Sequence, residues 1–123
     1  MAIDATVETF EDLVADGNVL LDVWGPRCAP CLALMPAIEA LEEKFSGRIR
    51  LLKLNAPENR KVCRDLRIAG LPAYVTFRDG VEVERLTSAN ATPDDIEGVI
   101  TRLLGGAPAR GLPVPEHLRE GGE

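Results

Sequence analysis

Residues 23–31 read Val23-Trp24-Gly25-Pro26-Arg27-Cys28-Ala29-Pro30-Cys31, where an apolar run stops at a Gly/Pro turn that carries two cysteines three positions apart. The run leading into it, Val19-Leu20-Leu21-Asp22-Val23, is nearly continuous apolar and β-branched at its ends, as expected of a central strand covered on both faces. Beyond it, Leu34, Ile38, Leu41 and Phe45 recur at helical steps, with Glu39, Glu42, Glu43 and Lys44 on the outer face. This pattern predicts a long helix over 31–45, with the first sulfur at its N-terminus. Unpaired backbone N–H groups and the positive end of the helix dipole favour a thiolate there, lowering a thiol pKa from about 8.5 into the range of about 3.5 to 7.5. Two thiols at this spacing can also close a small disulfide ring without moving the backbone. The chemistry indicated is dithiol/disulfide exchange.

Outward from this stretch the chain alternates strands and helices. Pro36 inside the long helix removes a backbone hydrogen bond and predicts a kink about one turn after Cys31. Ser46-Gly47 stops the helix, and 49–55 reads as an alternating strand parallel to the central one, the usual outcome of a helical crossover. A helix over 58–66 follows, with Val62, Cys63 and Leu66 on one side. Ala73-Tyr74-Val75-Thr76-Phe77 and Val81-Glu82-Val83-Glu84-Arg85-Leu86 flank an Asp79-Gly80 turn, which predicts an antiparallel hairpin. Thr92-Pro93-Asp94-Asp95 opens a last helix with an N-cap, a proline at the first helical position and acids in the first turn, and Gly105-Gly106 closes it. Before the central strand, a short extended segment near 4–7 and a short helix on Phe10, Leu13 and Val14 end at Asp16-Gly17-Asn18.

A chain of 123 residues that is 46% hydrophobic fits one packed domain, expected over 1–106, with 107–123 as a flexible Pro/Gly-rich tail. The net charge of −6 argues against nucleic acid or an anionic membrane as partner. The first residues lack a basic segment followed by an apolar one, and no apolar run approaches membrane-spanning length, so the expected location is the cytoplasm. In a reducing compartment, C-x-x-C is read as catalytic or metal-binding rather than structural. A zinc site would need Cys63 and His117 to complete its ligands, and redox chemistry is the stronger reading. Cys63 is read as a small buried hydrophobe, with an exposed, pairing thiol as the alternative.

Four features together closely resemble the thioredoxin family: Leu21-Asp22-Val23-Trp24, Cys28-Ala29-Pro30-Cys31, Pro36 five positions after the second cysteine, and Gly70-Leu71-Pro72 before a strand-turn-strand ending. The resemblance covers roughly residues 4 to 105. It implies an α/β thioredoxin fold, a central five-stranded mixed sheet flanked by four helices, and a thiol-disulfide oxidoreductase. It places Asp22 beneath the cysteine pair, where a desolvated carboxylate can take a proton from Cys31, with Lys53 balancing it from the adjacent strand. It makes the Leu71–Pro72 peptide cis and gives Leu71 main-chain groups for an extended substrate segment. Trp24, Arg27, Ala29, Pro30, Leu71 and Pro72 are thereby the expected substrate-binding residues. Four departures from the family pattern stand out, the first two of which alter the active-site surface. Arg27 replaces an aromatic residue, Ala29 replaces glycine, and Lys53-Leu54-Asn55-Ala56-Pro57 has lost an acid. A glycine expected after the last strand is replaced within Thr87-Ser88-Ala89.

The mechanism expected from these residues gives Cys28 as the attacking thiolate and Cys31 as the resolving thiol, with no bound cofactor and no metal. Arg27 beside Cys28 would favour the thiolate and attract acidic substrate segments. The expected activity is reduction of protein disulfides, recharged by an external reductase or another dithiol protein. The competing reading is a non-catalytic binding module that presents Leu71, Pro72 and Arg27 to a dedicated partner, with the cysteine pair as its switch.

Overall fold

A computed structural model of the chain describes residues 2–87 and 89–108. Its elements run β1 (Ile3–Ala5), α1 (Phe10–Val14), β2 (Asn18–Trp24), α2 (Ala29–Lys44), β3 (Arg50–Asn55), α3 (Arg60–Asp65), β4 (Ala73–Arg78), β5 (Val81–Thr87) and α4 (Pro93–Leu104). The strands form one five-stranded sheet in the order β1-β3-β2-β4-β5. β3 pairs parallel with both β1 and β2, whereas β4 runs antiparallel to β2 and β5. This is the mixed sheet with four helices that the resemblance implied.

β2 lies at the centre because its side chains are apolar on both faces. Leu21 and Val23 pack with Phe10, Val14, Val62 and Leu66, so α1 and α3 cover one face. Leu20 packs with Ile38, Leu41, Ile96 and Ile100, so α2 and α4 cover the other. Phe10 meets Phe77 edge to face, with ring centroids 6.0 Å apart. β3 is likewise a two-faced strand rather than an alternating one. Leu51 belongs to the α2/α4 core while Leu52 and Leu54 belong to the α1/α3 core.

Local chemistry fixes the ends of the elements. Asp79 and Gly80 both have positive φ, 51° and 85°, which is the type I′ turn that a two-residue hairpin needs. Thr92 and Asp95 cap α4 reciprocally: the Asp95 N–H donates to Thr92 Oγ1 at 3.1 Å and the Thr92 N–H to Asp95 Oδ2 at 3.0 Å. At the other end, the Gly106 N–H bonds Leu103 O and the Ala107 N–H bonds Arg102 O, a Schellman ending with Gly106 at φ 86°. Pro36 lies inside α2, which continues past it to Lys44.

The helix expected over 58–66 is instead a 3₁₀ turn, Ala56–Glu58, followed by α3 from Arg60. Asn59 breaks it. Its buried side chain accepts from the Val7 N–H and donates to Asn55 O, both at 3.0 Å, holding its backbone at φ −139°. Of the expected tail, Ala107 and Pro108 are described. Leu112-Pro113-Val114-Pro115 and His117 lie outside the described residues, as does Ser88 in the segment after β5.

Candidate active site

The turn after β2 is closed by the Cys28 N–H donating to Gly25 O at 3.1 Å. Cys28 then serves as the N-cap of α2 in extended conformation, and its Sγ accepts from the Cys31 N–H at 3.2 Å. Its carbonyl accepts the first helical bond, from the Leu32 N–H at 3.1 Å. Pro30 stands in the first turn, where a missing N–H costs nothing. Cys28 and Cys31 are joined by a disulfide with Cα atoms 5.2 Å apart. The two sulfurs differ in access: Cys28 is half-buried, whereas Cys31 is 1% exposed. One helical turn therefore separates a reachable sulfur from an enclosed one.

Asp22 is 1% exposed and sits on β2 directly between Lys53 of β3 and Tyr74 of β4. It shares the sheet face of Leu20, the face over which α2 begins with the cysteine pair. Burial pushes its carboxyl up to about 7, against the opposing pull of the Lys53 charge. Lys53 Nζ lies 5.1 Å from the centre of the Trp24 ring and donates to Met35 Sδ at 3.6 Å. Burial also raises the Tyr74 hydroxyl above its ordinary value, and the Asp22 charge adds to that rise. A carboxyl poised near neutral pH can take up or release a proton at physiological pH; a surface aspartate would be ionised throughout.

A groove of about 530 Å³ opens beside Cys28, lined by Gly25, Pro26, Arg27, Pro57, Arg60 and Leu71. The Leu71–Pro72 peptide is cis, with Leu71 half-buried and Pro72 buried. The groove thus brings Arg27, Cys28 and Leu71 together. Trp24 is not part of it. It lines a separate cavity of about 180 Å³ with Lys53, Asn55 and Asn59. Ala29 is exposed and Pro30 half-buried on the first turn of α2, outside the groove lining.

Four lining residues, Gly25, Pro26, Pro57 and Arg60, were not among the expected substrate-binding residues. Gly25 is buried, and a Cβ there would stand 3.2 Å from Leu71 Cδ1 and 3.7 Å from Pro57 Cδ, so the missing side chain keeps the groove open. Arg60, the first residue of α3, lies in the groove lining although the sequence did not single it out. Cys63 is half-buried on α3 against the α1/α3 core, and burial pushes its thiol up. Among the described residues no group of three or more His, Cys, Asp or Glu side chains is arranged to hold a metal. Nor is any helix among them long and apolar enough to cross a membrane.

Residues 2–102 match the thioredoxin family model. The chain belongs to the thioredoxin family. It is 32% identical over 99 residues to a thioredoxin of Acetoanaerobium sticklandii, covering 79% of this chain and 94% of that protein. To a thioredoxin of Peptoclostridium acidaminophilum it is 36% identical over 95 residues, covering 77% and 86%. To thioredoxin 1 of a Nostoc species it is 31% identical over 90 residues, covering 72% and 84%. As a thioredoxin-family protein the chain is a thiol-disulfide oxidoreductase, a protein-disulfide reductase that works through a cysteine pair. Thioredoxin relatives act on protein disulfides and work with a reductase partner. The reading as a non-catalytic binding module is not favoured.

Proposed function

We propose that Cys28 carries the attack on a substrate disulfide and Cys31 resolves the product. The Cys28 thiolate bonds to one substrate sulfur and the other leaves as a thiolate, giving a mixed disulfide. Cys31 passes its proton to the Asp22 carboxylate, attacks Cys28 Sγ, and expels the second substrate thiolate. The protein has then lost two electrons to the substrate and holds the Cys28–Cys31 disulfide. The observation that carries this reading is the unequal access of the two sulfurs, half-buried at the N-cap of α2 and 1% exposed one turn inward.

Lys53, opposite Asp22 in the sheet, keeps part of the carboxyl population ionised so that it can accept that proton. Leu71 and Pro72 offer the edge along which an extended substrate segment lies, and Arg27, Ala29 and Pro30 border the reacting sulfur. Trp24 acts from beneath, stacked on Lys53, rather than from the groove. Residues 1–106 form the catalytic domain. The dithiol form is the working form, which suits the cytoplasm and a thioredoxin-reductase-like partner.

Multi-turnover reduction of a disulfide-bonded peptide, with a small dithiol as electron source, tests the assignment. Cys28→Ser abolishes turnover, and Asp22→Asn slows release of the mixed disulfide more than its formation. Equal slowing of both steps would remove Asp22 from the mechanism.

A further inference from the structure

The groove beside Cys28 carries two guanidinium groups from separate elements, Arg27 from the turn before α2 and Arg60 from the first residue of α3. Both are exposed. Among the described residues neither is engaged by a carboxylate, in contrast to Lys61, Arg85 and Arg102, which bond Asp65, Glu82 and Glu84. Arg60 donates only to the neighbouring Pro57 carbonyl, through Nε at 3.4 Å. Among the described residues the lining contains no acid. On a chain of net charge −6, the groove lining carries two cations with no carboxylate bonded to them among the described residues, a charge of opposite sign to the chain as a whole. The rest of the lining, Gly25, Pro26, Pro57 and Leu71, is apolar, which suits the β-carbon and aliphatic stem of a bound side chain.

We infer that this groove selects protein disulfides whose attacked cysteine is flanked by aspartate or glutamate, with Arg27 and Arg60 reading the carboxylates on either side. The inference rests on Cys28 being the attacking sulfur. Two cations from different walls act on one bound segment, so their effects add. They act on encounter as well as on residence, because a locally positive cleft draws in an acidic segment before contact is made. A basic flank is repelled by the same pair, and therefore discrimination between acidic and basic substrates exceeds the gain over a neutral one.

The test uses the full reduced chain and three disulfide-bonded peptides that differ only in the residues flanking the attacked cysteine: glutamate, glutamine or lysine. Second-order reduction rates should fall in that order. At an ionic strength of about 20 mM the acidic-to-basic ratio should be about tenfold, and near 0.5 M about twofold, since exposed charges are screened. Arg27→Gln and Arg60→Gln should each lower the low-salt ratio, and the double variant should bring it to about the high-salt value. Circular dichroism checks that the variants are folded. Equal rates on the three peptides at low salt would overturn the inference while leaving the reductase assignment intact. So would an acidic preference that survives both substitutions. Failure to reduce any of the peptides would instead remove the assignment of Cys28, and this inference with it.

Discussion

Asp22→Asn should make the protein more stable at alkaline pH and change little at acid pH. In the folded protein the Asp22 carboxyl titrates at about 7, against an ordinary value of 3.8, because it is buried. Between those two values the folded state keeps a proton that the unfolded chain has lost, so stability declines as pH rises through that window and the loss is complete above the folded pKa. A difference of about three pH units at about 1.36 kcal/mol each amounts to about 4 kcal/mol, an upper figure because the site relaxes when charged. Asparagine cannot ionise and escapes this loss. Urea unfolding of the disulfide form, measured for both proteins at pH 4 and pH 8.5, isolates the effect, since titration of all other groups cancels in the double difference. The expected double difference is about 2 to 4 kcal/mol in favour of the variant at pH 8.5. A value near zero would mean that Asp22 titrates as a solvated carboxyl, and the proton-transfer role built on its burial would fall with it.

Other perturbations reach separate parts of the account. Arg27→Trp removes a positive charge beside Cys28, and because that charge favours the thiolate and so the dithiol form, the reduction potential should become more negative by on the order of 10 to 20 mV. Equilibration with a glutathione redox buffer at low salt measures this, and an unchanged potential would mean the guanidinium acts on partners alone. Arg85→Met should destabilise by about 3 to 5 kcal/mol, because it strands buried Glu82, which now accepts from Arg85 Nε at 2.6 Å and Nη2 at 2.7 Å. The same guanidinium donates to the Leu66 and Arg67 carbonyls after α3, so chemical denaturation showing a loss under about 1 kcal/mol would contradict its role as a clamp. Thr92→Ala should cost about 1 kcal/mol through loss of the α4 cap, with no change in turnover; full stability in the same denaturation assay would show that Asp95 and the backbone suffice.

The fold was legible where local pattern and tertiary demand agree. The continuous apolar run of β2 announced a strand covered twice, Asp79-Gly80 a tight hairpin, and Thr92-Pro93 with Gly105-Gly106 both ends of α4. The cysteine pair was legible because a strand, a Gly/Pro turn and a helical pattern meet there. What escaped depends on contacts distant in sequence. Asn59 breaks the helix over 58–66 through a bond to Val7, 52 positions away, which no local propensity encodes. Arg60, which opens α3 just after that break, lines the groove although nothing in its local sequence marks it. In β5 the facing of the strand was not legible: Glu82 is buried and Val81 is 37% exposed. A register shift opposite Thr76 and Phe77 admits an extra residue there, and Arg85 neutralises the carboxylate thus turned inward. Gly25 was legible as part of the turn, but not the room it leaves beside Leu71.

The central claim is that Cys28 makes the bond to substrate and Cys31 breaks it. Incubating Cys31→Ser with a disulfide-bonded peptide and mapping the adduct by mass spectrometry addresses this directly. The expected result is a stable mixed disulfide on Cys28, absent from Cys28→Ser. An adduct carried by Cys63 in place of Cys28, or an equal yield of adduct from Cys28→Ser at Cys31, would contradict the assignment.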